Sequence, residues 1–208
     1  MGGRVDQELV RRWVELAGSG AEQVGVGLVR RYREPHRRYH TVDHLAVMLA
    51  AIDELGGDAR DVDAVRYAAF FHDAIYAVDR SDNEERSAEL AEEQLGRLGL
   101  ATELVAEVGR LVRLTARHDP EPGDRNGAVL CDADLVVLAA DEPGYAAYTA
   151  AVRAEYRHVP DELFRAGRAA VLAGLAEQPR LFRTATARAR YEAAARANLT
   201  AELTALTS

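Results

Sequence analysis

Four short segments place ionisable side chains inside apolar surroundings: RRYHTVDHL with His40 and His44, FFHDAIY with His72 and Asp73, LTARHD with His118, and VLCDADLVV with Asp132 and Asp134. Histidine and aspartate can share a divalent cation, one through a neutral ring nitrogen and the other through a carboxylate oxygen. A lone histidine on an apolar stripe is ordinarily a hydrogen-bonded core residue. Burying several such groups together without a compensating charge is costly for each of them, so a shared metal is the economical reading of the set. A cation held this way acidifies bound water and neutralises charge on a substrate oxygen.

These groups need elements to bring them together. Ala, Leu, Glu and Arg dominate the chain and alternating β-branched runs are nearly absent, which predicts an all-α, single-domain helical bundle over residues 1–208. Leu45, Met48, Leu49 and Ile52 share one helical stripe that begins at His44 and is closed by Gly56-Gly57. A second helix starts after Asp61, where Val62, Val65, Ala69 and His72 recur at i, i+3, i+7 and i+10. Leu104, Val108, Leu111, Thr115 and His118 form a third stripe, ended by Pro120, Pro122 and Gly123. Further helices are expected over 84–98, 128–140, 143–157, 161–176 and 185–204. Bundles build metal sites from side chains that project inward from facing helices. His72 and Asp73 would diverge by about 100° on a regular helix, so their convergence requires a helix end there. Asp132 and Asp134 lie about 200° apart, so only one of the two can reach a given ion.

Composition removes several function classes. Every one of the 26 basic residues is arginine, which excludes Schiff-base lysine chemistry and a P-loop lysine. The formal net charge of −8 and the lack of a basic stripe argue against a nucleic-acid partner. No apolar run is long enough to span a membrane and no secretory leader is recognisable, so the expected partners exclude a membrane and the expected location is the cytoplasm. Cys131 sits in the apolar run AVLCDADLVVL and reads as an inert buried thiol.

The order of a histidine, a His-Asp doublet and a distant aspartate, all on helices, resembles the HD superfamily of metal-dependent phosphohydrolases. The resemblance extends through RRYHTVDHL, FFHDAIY, DNEERSAELA, CDADL, VRAEY and ARANLTAEL, from about residue 30 to 203. It implies a metal-dependent phosphoric ester hydrolase of the HD type. The implied substrate is a small phosphorylated metabolite or nucleotide, attacked by a metal-activated water. His44 matches the first histidine of the pattern, His72 and Asp73 the doublet, and Asp132 or Asp134 the last ligand, with the reading leaning to Asp132. The other aspartate would orient a ligand histidine. One divalent ion is implied, and Mn, Fe, Co, Ni, Zn and Mg remain open. The same scaffold also hosts catalytically silent nucleotide or metabolite sensors and iron-dependent oxygenases, which stand as alternatives.

Roles follow for the remaining polar residues. Asp73 would both ligate the ion and partner the attacking water, with Glu84, ahead of Glu85, as general base if the DNEERSA segment folds over the site. His40 would bind or protonate substrate, and His118 would lie at the pocket rim. Arg37 and Arg38, joined by Arg153 and Tyr156, would hold phosphate oxygens, because guanidinium binds them bidentately. The alanine-rich C-terminal helix offers a face to a second copy, so a homo-oligomer fits the sequence.

Overall fold

The computed structural model describes residues 2–207. Within them the chain forms α1 (Gly2–Ala17), α2 (Glu22–Tyr32), α3 (Val42–Leu55), α4 (Val62–Phe71), α5 (Asn83–Arg97), α6 (Thr102–Leu114), α7 (Arg125–Leu135), α8 (Glu142–Glu155), α9 (Asp161–Glu177) and α10 (Ala185–Thr207), with no strand among the described residues. The all-α expectation therefore holds. The first two helices add to the expected segments. They are built on Leu9 and Trp13 from α1 and on Leu28, Val29 and Tyr32 from α2, all buried. The 128–140 segment is not one helix: α7 ends at Leu135 and Val136–Ala139 continues as a tighter 3₁₀ turn.

Helix starts follow local capping chemistry. The Thr41 side chain accepts from the Asp43 N–H at the start of α3, and Asp61 accepts from Asp63 and Ala64 at the start of α4. Asp124 and Asp141 do the same for Gly127 and Gly144 at the starts of α7 and α8. These caps fix where each helix begins, and so fix which turn carries His44 and how far α4 runs before His72.

α3, α4 and α7 pack on one another at the centre, α6 covers α4, and α1 closes the other side. Val42, Leu45, Met48, Leu49 and Ile52 of α3 meet Val65, Ala68 and Ala69 of α4 and Val129 and Leu130 of α7 in one buried cluster. Trp13 anchors the α1 side. It is fully buried, its indole N–H donates to Ala21 O at 2.8 Å, and Tyr67, Phe70 and Phe71 meet it edge-on at 5.2–5.7 Å. Cys131 is buried in α7, and burial raises its thiol pKa, in keeping with an inert side chain. α9 stands apart from this core: it packs chiefly on α10, and Leu172 is its one fully buried side chain.

Candidate metal centre

α4 stops at Phe71, and His72 and Asp73 occupy the turn that follows. His72 keeps helical dihedrals and its N–H still bonds Ala68 O, while the Ala74 N–H closes a tighter turn on Phe71 O; in that turn both side chains reach the same point as His44, in the first turn of α3. His44 Nε2 and His72 Nε2 lie 3.1 Å apart. Asp134 Oδ1 comes from α7 to 3.2 Å from His44 Nε2 and 3.9 Å from His72 Nε2. Asp73 Oδ2 is 3.1 Å from His72 Nε2 and 3.9 Å from His44 Nε2. Ligands held about 2.1 Å from one ion at cis or tetrahedral angles lie roughly 3.0–3.5 Å apart, which is the spacing of the closer pairs here.

The surroundings fix how these side chains are presented. His72 Nδ1 faces the Ala69 carbonyl at 2.8 Å, so the neutral ring carries its proton there and leaves a bare lone pair on Nε2. The Tyr32 hydroxyl lies 3.4 Å from the same Nδ1 and accepts from the Asp73 N–H at 3.3 Å, tying the doublet to α2. His118 Nε2 donates to Asp134 Oδ2 at 2.7 Å, which leaves Oδ1 directed at the two imidazoles. Among the described residues His118 is the one non-glycine with positive φ, 51°, a conformation that costs free energy and is found where a side chain must be aimed.

In the protein alone, burial pushes His72 down, but Asp73, by its charge and its hydrogen bond, and then Asp134 outweigh it and raise the pKa to about 9. Burial acts to raise Asp73, yet His72 and His40 hold it far below the ordinary carboxylate range. Asp134 is likewise depressed against its burial by His118 and His44. A raised imidazole stabilises the fold fully below its unfolded pKa near 6.5 and loses that contribution as pH rises through about 9. Depressed carboxylates stabilise above their unfolded pKa, roughly 3.9, and lose it as pH falls. Cation-free protein is therefore expected to reach its highest urea midpoint between about pH 4 and 6.5 and to weaken toward pH 9. A midpoint flat from pH 6 to 9 would contradict the pairing.

Other sequence expectations are corrected by the structure. Asp132 does not join the cluster: fully buried on the opposite side of α7, it accepts from the Arg183 and Thr184 N–H groups at 2.6 and 2.8 Å, just before α10. It orients no ligand histidine either, because both its oxygens are taken up by those amides. Glu84 makes no hydrogen bond or ion pair with the cluster. Asn83 and Ser87, one turn apart, dock the start of α5 onto the 75–77 backbone, and Glu84 beside them is half-buried. Glu85 pairs with Arg113.

Two of the three arginines expected to hold phosphate are spent on structure. Arg37 directs all its donors inward, to Glu34, His40 O, Asp73 O and Ala74 O, with its guanidinium over the rings of Tyr32 and Tyr76. It clamps the loop before α3 to the His72-Asp73 turn. Arg38 is exposed and donates to the carbonyls of Pro35 and Arg37. Arg153 closes the turn after α8 through Tyr156 O, Val159 O and Asp161. His118 serves Asp134 and not an open rim. Tyr156 does line a cavity, together with His40.

One residue went unrecognised in the sequence. Glu155, at the end of α8, has a side chain with no exposure, and its Oε1 accepts from the consecutive N–H groups of Arg38, Tyr39 and His40 at 2.7–3.0 Å. Its Oε2 accepts from His40 Nδ1 at 2.8 Å and from the Tyr76 hydroxyl at 2.9 Å. Burial acts to raise Glu155, but His40 and the amide donors bring its pKa to about 2. A buried acid in the helical segment VRAEY was the available signal, but its partners lie 79 to 117 residues away. The chain matches no protein-family model, no curated protein and no solved structure.

Proposed function

We propose that the chain is a metal-dependent phosphohydrolase of the HD type, in which His44, His72, Asp73 and Asp134 hold one divalent ion and a small phosphorylated molecule is the substrate. The observation that carries this reading is the convergence of His44 and His72 with Asp134 and Asp73, delivered by α3, the end of α4 and α7, each imidazole Nε2 lying 3.1–3.9 Å from the other and from an oxygen of either carboxylate. A divalent ion bound there supplies acidification of water and charge neutralisation of a phosphoryl oxygen.

The chain's own residues supply the proton chemistry. In hydrolysis a water oxygen bonds to phosphorus, the bond from phosphorus to the leaving oxygen breaks, and that oxygen needs a proton. His40 suits this role. Its Nδ1 is committed to Glu155, so Nε2 is the nitrogen it can offer to substrate, and its ring lines the cavity beside the cluster. Burial lowers the His40 pKa, but Asp73 and Glu155 outweigh it and raise it, which favours the protonated ring that can donate. The proton lost by the attacking water goes to Asp73. Asp134 already accepts from His118, whereas the second oxygen of Asp73 takes no hydrogen bond from the described residues.

Metal analysis and phosphate release from a panel of phosphate esters test the reading. About one divalent ion per chain and turnover are expected in the wild type, and neither in His72→Ala combined with Asp73→Ala. Because the ion displaces the His72 proton, added cation is expected to shift the urea midpoint upward more strongly at pH 9 than at pH 6. Bound metal without turnover of any ester would favour a ligand-binding sensor. A protein that takes up no metal would end both readings.

A further inference from the structure

The cluster adjoins a cavity of about 470 Å³ between the loop before α3, the end of α8 and the outer face of α9. Tyr39 and His40 stand between the two: they line the cavity, and their rings lie 4.9 and 5.8 Å from the ring of His44. The walls are unlike those of a polyphosphate site. Tyr39, Tyr148, Tyr156 and Phe164 present ring surfaces, and Leu163 and Val171 of α9 complete the mouth while remaining 65% and 59% exposed. Large apolar side chains left this open beside a polar centre mark a surface that something covers.

The positive charge at the cavity is already matched. Arg168, its one arginine, donates to both carboxylate oxygens of Glu202 at 2.8 and 3.0 Å and lies over the Tyr148 ring. Arg37, Arg38 and Arg153 are turned to backbone carbonyls and carboxylates, as described above. A second or third phosphate placed against these ring faces would find the one arginine of the lining already paired, with His40 the remaining cationic donor there, which is costly.

The geometry points to a leaving-group pocket for an uncharged aromatic moiety: the substrate is a phosphate monoester of an aromatic alcohol, not a nucleoside polyphosphate. This rests on the phosphohydrolase reading for the phosphate end, while the pocket itself is tested by binding alone. Ring faces stack on such a group at low entropic cost, and its area accounts for the apolar lining.

Gly167 gives a direct probe, since it lines the cavity and a Cβ there meets nothing within 4 Å, so a larger side chain projects into open space on a helix that tolerates it. The test compares binding of methylphosphonate and 1-naphthylmethylphosphonate, which share a non-hydrolysable head, by phosphorus NMR titration of the full chain with Mg²⁺. The naphthyl compound is expected to bind about 100-fold more tightly, as burial of a bicyclic ring implies. Gly167→Leu is expected to bring that ratio to within about fivefold. A wild-type ratio near one, binding of neither compound, or tighter binding of ATP than of the naphthyl compound would overturn the proposal. So would a high ratio that Gly167→Leu leaves unchanged in folded protein. A high ratio that collapses in the variant, with no ester turned over, sustains the pocket and sinks the hydrolase. Ester turnover with a ratio of one does the reverse.

Discussion

On the proposed hydrolase reading, Asp134→Ala is expected to abolish stoichiometric binding of a divalent cation and to lower phosphate release by at least about 10³-fold, because an ion that stabilises the transition state by several kcal/mol leaves with its ligand. The neighbouring change separates this from a general loss of structure. Asp132→Ala removes a fully buried carboxylate that accepts two backbone N–H groups ahead of α10, and leaves those amides without partners. It is expected to cost the fold about 2–4 kcal/mol while metal content per folded chain stays near one. Metal analysis and urea unfolding of the two variants side by side decide the matter. If Asp132→Ala lost the ion and Asp134→Ala kept it, the assignment of ligand along α7 would be reversed.

The second large effect belongs to Glu155. Its carboxylate holds three consecutive amides of the loop before α3, the His40 imidazole and the Tyr76 hydroxyl. Glu155→Ala leaves those donors buried and unpaired, so a loss of about 3–5 kcal/mol is expected, or roughly a 10 °C drop in Tm for a chain of this size. Glu155→Gln keeps the shape but not the charge, and its deficit carries a pH signature. A carboxylate depressed from 4.5 to about 2 stabilises fully above pH 4.5 and loses that contribution as pH falls toward 2. The stability gap between wild type and Glu155→Gln is therefore expected to close across that window. A gap independent of pH would mean that shape and not charge is what Glu155 contributes. Turnover should also fall in Glu155→Gln with KM little changed, since His40 loses its orientation and not its place in the cavity.

The sequence by itself determined the helical architecture and the raw material of the site. Residue types with high helix propensity, apolar stripes at helical spacing and Gly or Pro breakers are local signals, and they fix where most of the helices run. The same locality made the His72-Asp73 doublet informative, because adjacent residues can converge only where a helix ends, and α4 does end at Phe71. It also required Asp132 and Asp134 to face opposite ways on α7. Which of them faces the histidines was beyond it, since the angle between two side chains on a helix says nothing about how that helix is rotated against α3 and α4. Nor could sequence show that Arg37 and Arg153 are occupied. A guanidinium looks like a phosphate ligand until the carbonyls around it are placed, and those of Asp73 and Ala74 reach Arg37 from more than thirty residues away. Glu155 is the extreme case. Its meaning depends on three amides 115–117 positions distant. Short-range periodicity decides what forms, but the pairing of buried donors with buried acceptors is a long-range condition that only the packed bundle satisfies.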